Sequence, residues 1–480
     1  MNYRMISYTL GWILLFESAF LLVPTATAII YGEYSVMIAF LISIGICLLA
    51  GFPFMVIKPK NTVLRARDGF VIVAFSWILL SLFGAIPFML TGVTNNYIDA
   101  LFETASGLTT TGATIFGDVE SLPRAIIIWR SFTHWIGGMG ILVFVMAFLP
   151  LSGGTNLYIM KAESPGPSVT KPVPKIKTTA KLLYIVYLVL TAILIVILIS
   201  CGVGVFNSLN IAFSTAGTGG FGFFNDSMAS YPPHIQIIVG IFMLLFSLNF
   251  SSYFLLLRGR IKEAITTEIK VFVAIVAAAV AMITLNLRLS GIVGSTSDAL
   301  RHSFFTVSSV ISTTGFSTED FGLWPALSQT VIIIVMFIGA CAGSTGGGIK
   351  VSRIIVMFKL MARELGTALH PKQVKKISVD NEIVDKNVLR SIYSFFFAYI
   401  TVFIISVVIL SFDGHDIVTN FTSVLTTIGN VGPGLSKVGP SGNYAFFSPL
   451  SKIVLILDML AGRLELFPLL LLFVPSTWRK

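Results

Sequence analysis

The sequence predicts an all-α membrane protein of ten transmembrane helices, in which an N-terminal two-helix hairpin precedes four tandem repeats in a pseudo-fourfold arrangement. Three observations predict this fold. Only 11% of the 480 residues are charged and 55% are hydrophobic, whereas about a quarter of an ordinary soluble domain is charged. Apolar runs of about 20 residues, long enough to cross a bilayer, recur along the whole chain. One short pattern also recurs four times, each time between two apolar runs.

The predicted spans follow one another from the N-terminus. Arg4, the apolar run 6–30 and the small residues 26–28 loosely resemble a signal peptide. The run is too long for one and a second span follows at once, so we predict an uncleaved helix. The ten spans are 7–31, 36–57, 68–91, 123–150, 180–203, 234–257, 269–289, 325–358, 389–411 and 448–474.

Basic residues cluster in alternate loops, which sets the predicted orientation. In a soluble protein, a net charge of +10 would indicate nucleic acid as a partner. In a membrane protein, Lys and Arg instead concentrate in the cytoplasmic loops. Both termini are therefore predicted to be cytoplasmic, with the lipid bilayer and no nucleic acid as partners. The clusters are Lys58, Lys60, Arg65 and Arg67; Lys161, Lys171, Lys175, Lys177 and Lys181; Arg258, Arg260 and Lys262; and Lys359, Arg363, Lys372, Lys375, Lys376 and Lys386.

The recurring pattern is S-x-x-x-T-x-G, and four windows align without gaps at a period of about 100 residues. The alternative is a set of packing glycines, which are common in membrane helices, but packing alone does not fix three columns at identical offsets. The repeats divide the chain into a hairpin at 1–67 and repeats at 68–178, 179–265, 266–388 and 389–480. The columns are Ser106, Ser214, Ser309 and Ser423; Thr110, Thr218, Thr313 and Thr427; and Gly112, Gly220, Gly315 and Gly429.

Such a pattern suits a cation filter. A dehydrated K⁺ needs a ring of oxygen dipoles in place of its water, and backbone carbonyls supply them. Glycine permits the unusual φ and ψ that aim successive carbonyls at one axis, and a half-helix ending at mid-membrane presents its negative end to a cation. The repeats are thus membrane-pore-membrane units. The predicted metal-binding residues are Thr110, Thr111, Gly112, Thr218, Gly219, Gly220, Thr313, Thr314, Gly315, Thr427, Ile428 and Gly429.

Other motifs give no support to an enzyme. G-x-G-x-x-G at 217–222 lies between membrane spans rather than in a βαβ unit, and G-S-T-G-G-G-I-K at 343–350 departs from the P-loop pattern. Cys47, Cys201 and Cys341 form no C-x-x-C pair. We predict a protein without an organic cofactor, with K⁺ as the transported ion.

Four stretches resemble the Trk/Ktr/HKT superfamily of cation transporters: T-T-T-G-A-T, G-A-C-A-G-S-T-G-G-G-I-K-V, G-N-V-G-P-G and A-G-R-L-E-L-F. The two additional N-terminal spans and G-N-V-G-P-G point to its TrkH branch. The resemblance implies potassium uptake, a homodimer in the plasma membrane, and a cytosolic regulatory partner of the TrkA type with nucleotide-binding domains. A sodium-conducting or Na⁺/K⁺-coupled relative is the alternative. The fourth repeat departs from the pattern at one position, since Ile428 is aligned with Thr111 and Thr314 of two other repeats.

The eighth predicted span, about 34 residues long, contains five glycines between Gly339 and Gly348. Several glycines in succession should break the helix, and the resulting loop should lie against protein or water below the filter. We predict a gate of loop 341–348 and Arg463; a static constriction is the alternative. Glu103 is expected to add negative charge near the pore, whereas Arg130 and His134 receive no role. The gate residues are Gly343, Ser344, Thr345, Gly346, Gly347, Gly348 and Arg463.

Overall fold

The computed structural model describes residues 1–56, 59, 64–138, 140, 176–370 and 376–479. These residues are mostly helical. The longer helices are Tyr3–Phe20, Leu22–Ile30, Tyr34–Val56, Ala66–Gly84, Arg124–Gly138, Ile176–Ser200, Pro233–Phe246, Phe250–Leu257, Thr267–Leu289, Ala326–Ile338, Val351–Leu369, Lys386–Leu410 and Pro449–Arg463.

One feature departs from the all-α prediction. Strands Ser378–Val379 and Glu382–Ile383 pair antiparallel. Asp380 and Asn381 connect them with φ of 52° and 65°, the pair of positive values that a tight two-residue hairpin turn requires. The hairpin follows Val351–Leu369 and contacts the helical body, since the Asp380 carboxylate accepts from the Thr267 amide at 2.8 Å.

Six helices in the described part of the chain are long and apolar enough to cross a membrane, and a bent pair makes a seventh. The count of ten stays a prediction, because residues 141–150 of the fourth predicted span lie outside the described residues and three other spans are interrupted. The six are Tyr3–Ile30, Tyr34–Val56, Arg67–Leu90, Leu182–Ser200, Thr267–Leu289 and Lys386–Asp413.

The bent pair is Pro233–Phe246 with Phe250–Leu257, which meet at 91°. Asn249 lies in the break, and its side chain accepts from the Ser251 amide, so that a new helix begins there. The sequence signal for this break is weak, because residues 247–249 contain neither Gly nor Pro, so the uninterrupted span predicted at 234–257 is wrong here.

A second interruption separates Ala326–Ile338 from Val351–Leu369. Gly339 ends the first helix with φ of 72°, a value that glycine adopts without strain. A methyl group on Gly339 would lie 2.7 Å from the Cα of Gly348, so the two ends of the loop are in close contact. Residues 339–350, called the intramembrane loop below, are not helical.

Four shorter helices end inside the protein. Their C-terminal halves are almost completely buried. Side-chain caps begin the first and the last, where Asn96 accepts from the Ile98 amide and Asp416 from the Thr419 amide. We call them the first to fourth central helices: Tyr97–Leu108, Val205–Gly217, Thr296–Ile311 and Ile417–Ile428.

Candidate cation site

The turn after each central helix has the same backbone conformation four times. A non-glycine residue is left-handed, and the glycine two positions later also has a positive φ. The amide between them donates to a carbonyl oxygen five residues earlier, at 2.8–2.9 Å. We call these turns the first to fourth ring turns: Thr110 to Gly112 (φ 57° and 81°), Thr218 to Gly220 (57° and 80°), Thr313 to Gly315 (59° and 86°) and Asn430 to Gly432 (53° and 98°).

The fourth ring turn corrects the gap-free alignment of the sequence. The structural equivalent of Gly112 is Gly432, three residues after the predicted Gly429. Thr427 and Ile428 still belong to the fourth central helix, and Gly429 follows it with a right-handed φ of −83°. The predicted register is therefore wrong for this repeat, because Ser423, Thr427 and Gly429 reproduce the sequence columns without reproducing the backbone.

The four turns meet in a closed cycle of close backbone contacts. In each case a methyl group on the glycine would overlap the carbonyl oxygen of the middle residue of a neighbouring turn, so no larger residue fits without displacement of that carbonyl. The distances are 1.9 Å from Gly112 to the oxygen of Gly219, 2.0 Å from Gly220 to that of Thr314, 2.4 Å from Gly315 to that of Val431, and 2.6 Å from Gly432 to that of Thr111.

The same four glycines line one open cavity with about 750 Å³ of empty space. Gly429 does not line it. Among the described residues, no group of three or more His, Cys, Asp or Glu side chains could hold a metal ion. The groups that the four turns present to one another are backbone carbonyl oxygens, a type of ligand that suits a hard monovalent cation.

Hydroxyl groups support the first and third turns. The hydroxyls of Thr109 and Thr111 lie 2.8 Å apart, and those of Ser312 and Thr314 lie 2.6 Å apart. The corresponding pairs in the other two turns are Gly217 with Gly219, and Gly429 with Val431. The second and fourth turns therefore need other supports.

The fourth turn is supported by Asn430. Its side-chain amide donates to the Thr111 hydroxyl at 3.0 Å and to the Met459 carbonyl at 2.9 Å. The Tyr444 hydroxyl donates to the carbonyl of Gly432 at 2.8 Å. An amide side chain thus links the fourth turn to the first, at the position that the alignment by sequence assigns to Thr427.

The intramembrane loop is bonded directly to the ring turns. The Gly347 amide donates to the Thr313 hydroxyl at 2.7 Å, and the Gly348 amide donates to the Gly429 carbonyl at 3.0 Å. The loop thus lies next to the third and fourth turns. Gly429 is therefore placed against the loop rather than in the ring.

Arg463 holds the middle of this loop. Its guanidinium donates to the Thr345 carbonyl at 2.9 Å and to the Gly138 carbonyl at 2.7 Å, and it also donates to the Gly137 carbonyl. One guanidinium therefore links the loop to the end of helix Arg124–Gly138. The structure thus brings Arg463 and the loop, two parts of the predicted gate, into direct contact.

Three further charged residues, none of them among the predicted gate residues, anchor the loop. Glu268 accepts from the amides of Ala342 at 2.8 Å and Ser352 at 3.1 Å. Lys350, which is buried, donates to a loop carbonyl, and Arg353 donates to another, that of Ile349, at 3.0 Å. Lys350 and Arg353 carried a signal in the sequence, as charged residues within the predicted span 325–358, whereas Glu268 is distant from the loop in sequence and lies just before the span 269–289.

The negative charge expected from Glu103 is neutralised. Its carboxylate lies 2.7 Å from Arg130, both side chains are buried, and it accepts from the Ile115 amide at 3.0 Å and from the Thr114 hydroxyl. The Arg130 guanidinium lies 4.1 Å from the centre of the Phe221 ring, next to the second ring turn. This ion pair therefore supports the first and second turns.

Comparison with known proteins identifies the family. The TrkH family model, described as a cation transport protein, matches residues 33–480. The Trk system potassium uptake protein TrkH of Salmonella typhimurium is 37% identical, and TrkG of Escherichia coli K12 is 32% identical; the matches cover 100% and 99% of both chains. The crystal structure of the potassium transporter TrkH from Vibrio parahaemolyticus matches with a TM-score of 0.89 at 33% identity over 100% of both chains. The chain therefore belongs to the TrkH family of cation transport proteins.

Proposed function

We propose that this chain takes up potassium ions across a membrane, through a pore that its four ring turns enclose. The closed cycle of carbonyl–glycine contacts carries the proposal, since four copies of one backbone conformation from a single chain form a ring. The names of the relatives, which are potassium uptake proteins and a potassium transporter, support potassium as the ion.

The chemistry of the ring accounts for cation passage. Carbonyl oxygens replace the hydration shell of K⁺, and the buried C-terminal ends of the central helices contribute partial negative charge. The hydroxyls of Thr110, Thr218 and Thr313 lie at the inner ends of the first three turns. In the fourth turn, the side chain of Asn430 takes the corresponding place.

We propose the following ion-binding residues, in which the fourth set replaces Thr427, Ile428 and Gly429. They are Thr110, Thr111 and Gly112; Thr218, Gly219 and Gly220; Thr313, Thr314 and Gly315; and Asn430, Val431 and Gly432.

The intramembrane loop with Arg463 is the proposed gate. The loop is bonded to Thr313 of the ring on one side and to Arg463 on the other. A cation leaving the ring would meet the guanidinium charge, which repels it. Movement of the loop away from the ring would break both bonds and open the path, whereas a purely structural loop would stay in place during transport.

The wider arrangement is also proposed rather than observed. Ten spans form the hairpin 1–67 and the four membrane-pore-membrane units 68–178, 179–265, 266–388 and 389–480. The chain lies in the plasma membrane with both termini in the cytoplasm. It forms a homodimer with one pore in each chain, and a cytosolic TrkA-type partner with nucleotide-binding domains controls the gate.

Uptake of ⁸⁶Rb⁺ into liposomes, with and without competing Na⁺, tests the function. The purified chain should take up Rb⁺, K⁺ should compete, and Na⁺ should compete poorly. Gly112→Ser should weaken this discrimination, because its side chain would overlap the Gly219 carbonyl. Gly45→Ala is the matched control, since a methyl group there meets no atom within 4 Å.

Two outcomes contradict the proposal. Equal competition by Na⁺ and K⁺ in the unmodified chain would favour the sodium-conducting alternative. A Gly112→Ser protein with the unmodified K⁺/Na⁺ discrimination would show that the ring does not select the ion.

A further inference from the structure

His134 is completely buried between the first two ring turns. It lies on helix Arg124–Gly138, in a position for which the sequence pattern predicts no role. Its Nδ1 lies 2.8 Å from the carbonyl oxygen of Gly107, near the end of the first central helix. Its Nε2 accepts from the amide of Phe221 at 3.2 Å, immediately after the second ring turn. One imidazole thus connects two of the four walls of the ring.

These two partners determine the protonation of the ring nitrogens. A backbone amide can only donate, so Nε2 is the unprotonated acceptor. A carbonyl oxygen can only accept, so Nδ1 carries the proton. His134 is therefore neutral with its proton on Nδ1, and the imidazolium would lose the bond to Phe221.

The bond to the Phe221 amide also orients a carbonyl. The N–H of Phe221 and the C=O of Gly220 belong to one planar trans peptide, in which the two groups point in opposite directions. With the N–H directed at His134, the Gly220 carbonyl is directed away from helix Arg124–Gly138. Rotation of this peptide would break the bond to Nε2 and turn the carbonyl towards the imidazole.

The imidazole explains why the second ring turn differs in sequence. The middle residue of the other turns is Thr111, Thr314 or Val431, but here it is Gly219. A methyl group on Gly219 would lie 2.2 Å from Cγ of His134, so the imidazole occupies the volume of a side chain. His134 thus takes the place of the hydroxyl pair that supports the first and third turns.

We propose that His134 is a positioning residue for ion selection, which holds the Gly220–Phe221 peptide with the Gly220 carbonyl directed into the ring. This inference rests on the proposed function, because it assigns His134 to the same ring. A purely structural histidine would stabilise the fold without affecting which ion passes. A positioning role instead predicts a change in selectivity.

Two substitutions at this position separate the roles. His134→Leu has a similar volume but removes both hydrogen bonds, whereas the His134→Gln amide offers one donor and one acceptor. In the liposome assay, His134→Leu should reduce the Rb⁺/Na⁺ discrimination about five-fold, the effect of one lost hydrogen bond of typical strength. His134→Gln should keep the discrimination within about two-fold of the unmodified protein.

The inference and the proposed function fail differently. If the unmodified protein discriminates between Rb⁺ and Na⁺ and His134→Leu does so equally, the inference is wrong and the proposed function stands. If the unmodified protein does not discriminate, the proposed function is wrong. An equal loss in the Leu and Gln variants would also overturn the inference, since it would indicate a requirement for the histidine shape alone.

The state of the imidazole gives a test that needs no folded Leu variant. Nuclear magnetic resonance of ¹⁵N-histidine-labelled protein in lipid should show one neutral imidazole with a protonated Nδ1 and an unprotonated Nε2. The loss of this signal in His134→Gln assigns it. A protonated Nε2 at His134 would exclude the bond to the Phe221 amide and overturn the inference.

Discussion

Gly432→Ala tests which glycine closes the ring. Gly432 has a φ of 98°. L-residues with a side chain rarely adopt such a positive φ, because it costs them about 1–2 kcal/mol. A methyl group there would lie 2.6 Å from the carbonyl oxygen of Thr111. Restoring an ordinary contact of 3.4 Å requires a displacement of about 0.8 Å, and that carbonyl belongs to the first wall of the ring.

The size of the effect follows from the strain. If ion binding at the ring changes by a similar amount, about 1–2 kcal/mol, the Rb⁺/Na⁺ discrimination falls about five- to thirty-fold. Competition between ⁸⁶Rb⁺ and Na⁺ in liposomes measures this ratio directly. Total flux is recorded at the same time, because a narrowed ring lowers flux and a distorted one lowers discrimination.

Gly429→Ala is the control variant. Gly429 has a φ of −83°, so alanine can adopt this backbone conformation without the strain of a left-handed residue. The nearest atom to its methyl group would be the Leu425 carbonyl oxygen at 2.8 Å, within the same central helix rather than in a neighbouring wall. We expect lower thermal stability with unchanged discrimination. If Gly429→Ala loses discrimination and Gly432→Ala keeps it, the ring assignment is refuted.

Three further predictions concern the surroundings of the ring. Arg463→Ala should raise Rb⁺ flux several-fold, because the loop loses the bond between Arg463 and the Thr345 carbonyl that holds it in place. Unchanged flux in a folded variant would contradict the proposed gate. Glu103→Gln should destabilise the protein by about 3–5 kcal/mol, since it leaves Arg130 buried without its ion pair; an unchanged thermal midpoint in detergent would contradict this. Hydrogen bonds at the helix cap lower the pKa of Asp416. The stabilisation that this carboxylate gives to the fold is therefore present above the unfolded pKa of about 3.9 and is lost as pH falls through the folded pKa. Asp416→Ala should remove this part of the acid dependence of the thermal midpoint, and a variant with the pH profile of the unmodified protein would contradict this prediction.

Much of the helical architecture follows from composition and glycine placement. Six of the predicted spans correspond to long apolar helices among the described residues, and the glycines from Gly339 to Gly348 lie in the break that the structure places at residues 339–350. The break at Ser247–Asn249 was not predicted. It is stabilised by contacts with this loop, such as the Cys341 amide to the Ser247 carbonyl at 3.1 Å, which a local pattern does not contain.

The fourth ring turn shows where a sequence repeat misleads. Three columns matched at Ser423, Thr427 and Gly429, yet the chain remains helical for one more residue after Thr427. The left-handed residue of this turn is Asn430, a residue type that adopts positive φ more readily than most. Its equivalence to Thr110 is visible in φ and hydrogen bonding but not in residue identity.

The sequence by itself determined the membrane setting, the existence of a fourfold element and the resemblance to a transporter family. Each depends on composition or on local spacing. Only the tertiary structure decided which glycine completes the ring and what supports it, because those answers depend on contacts between residues distant in the chain. His134 and Phe221 are 87 positions apart, and Asn430 and Thr111 are 319 apart; only folding brings these donors and acceptors within hydrogen-bonding distance.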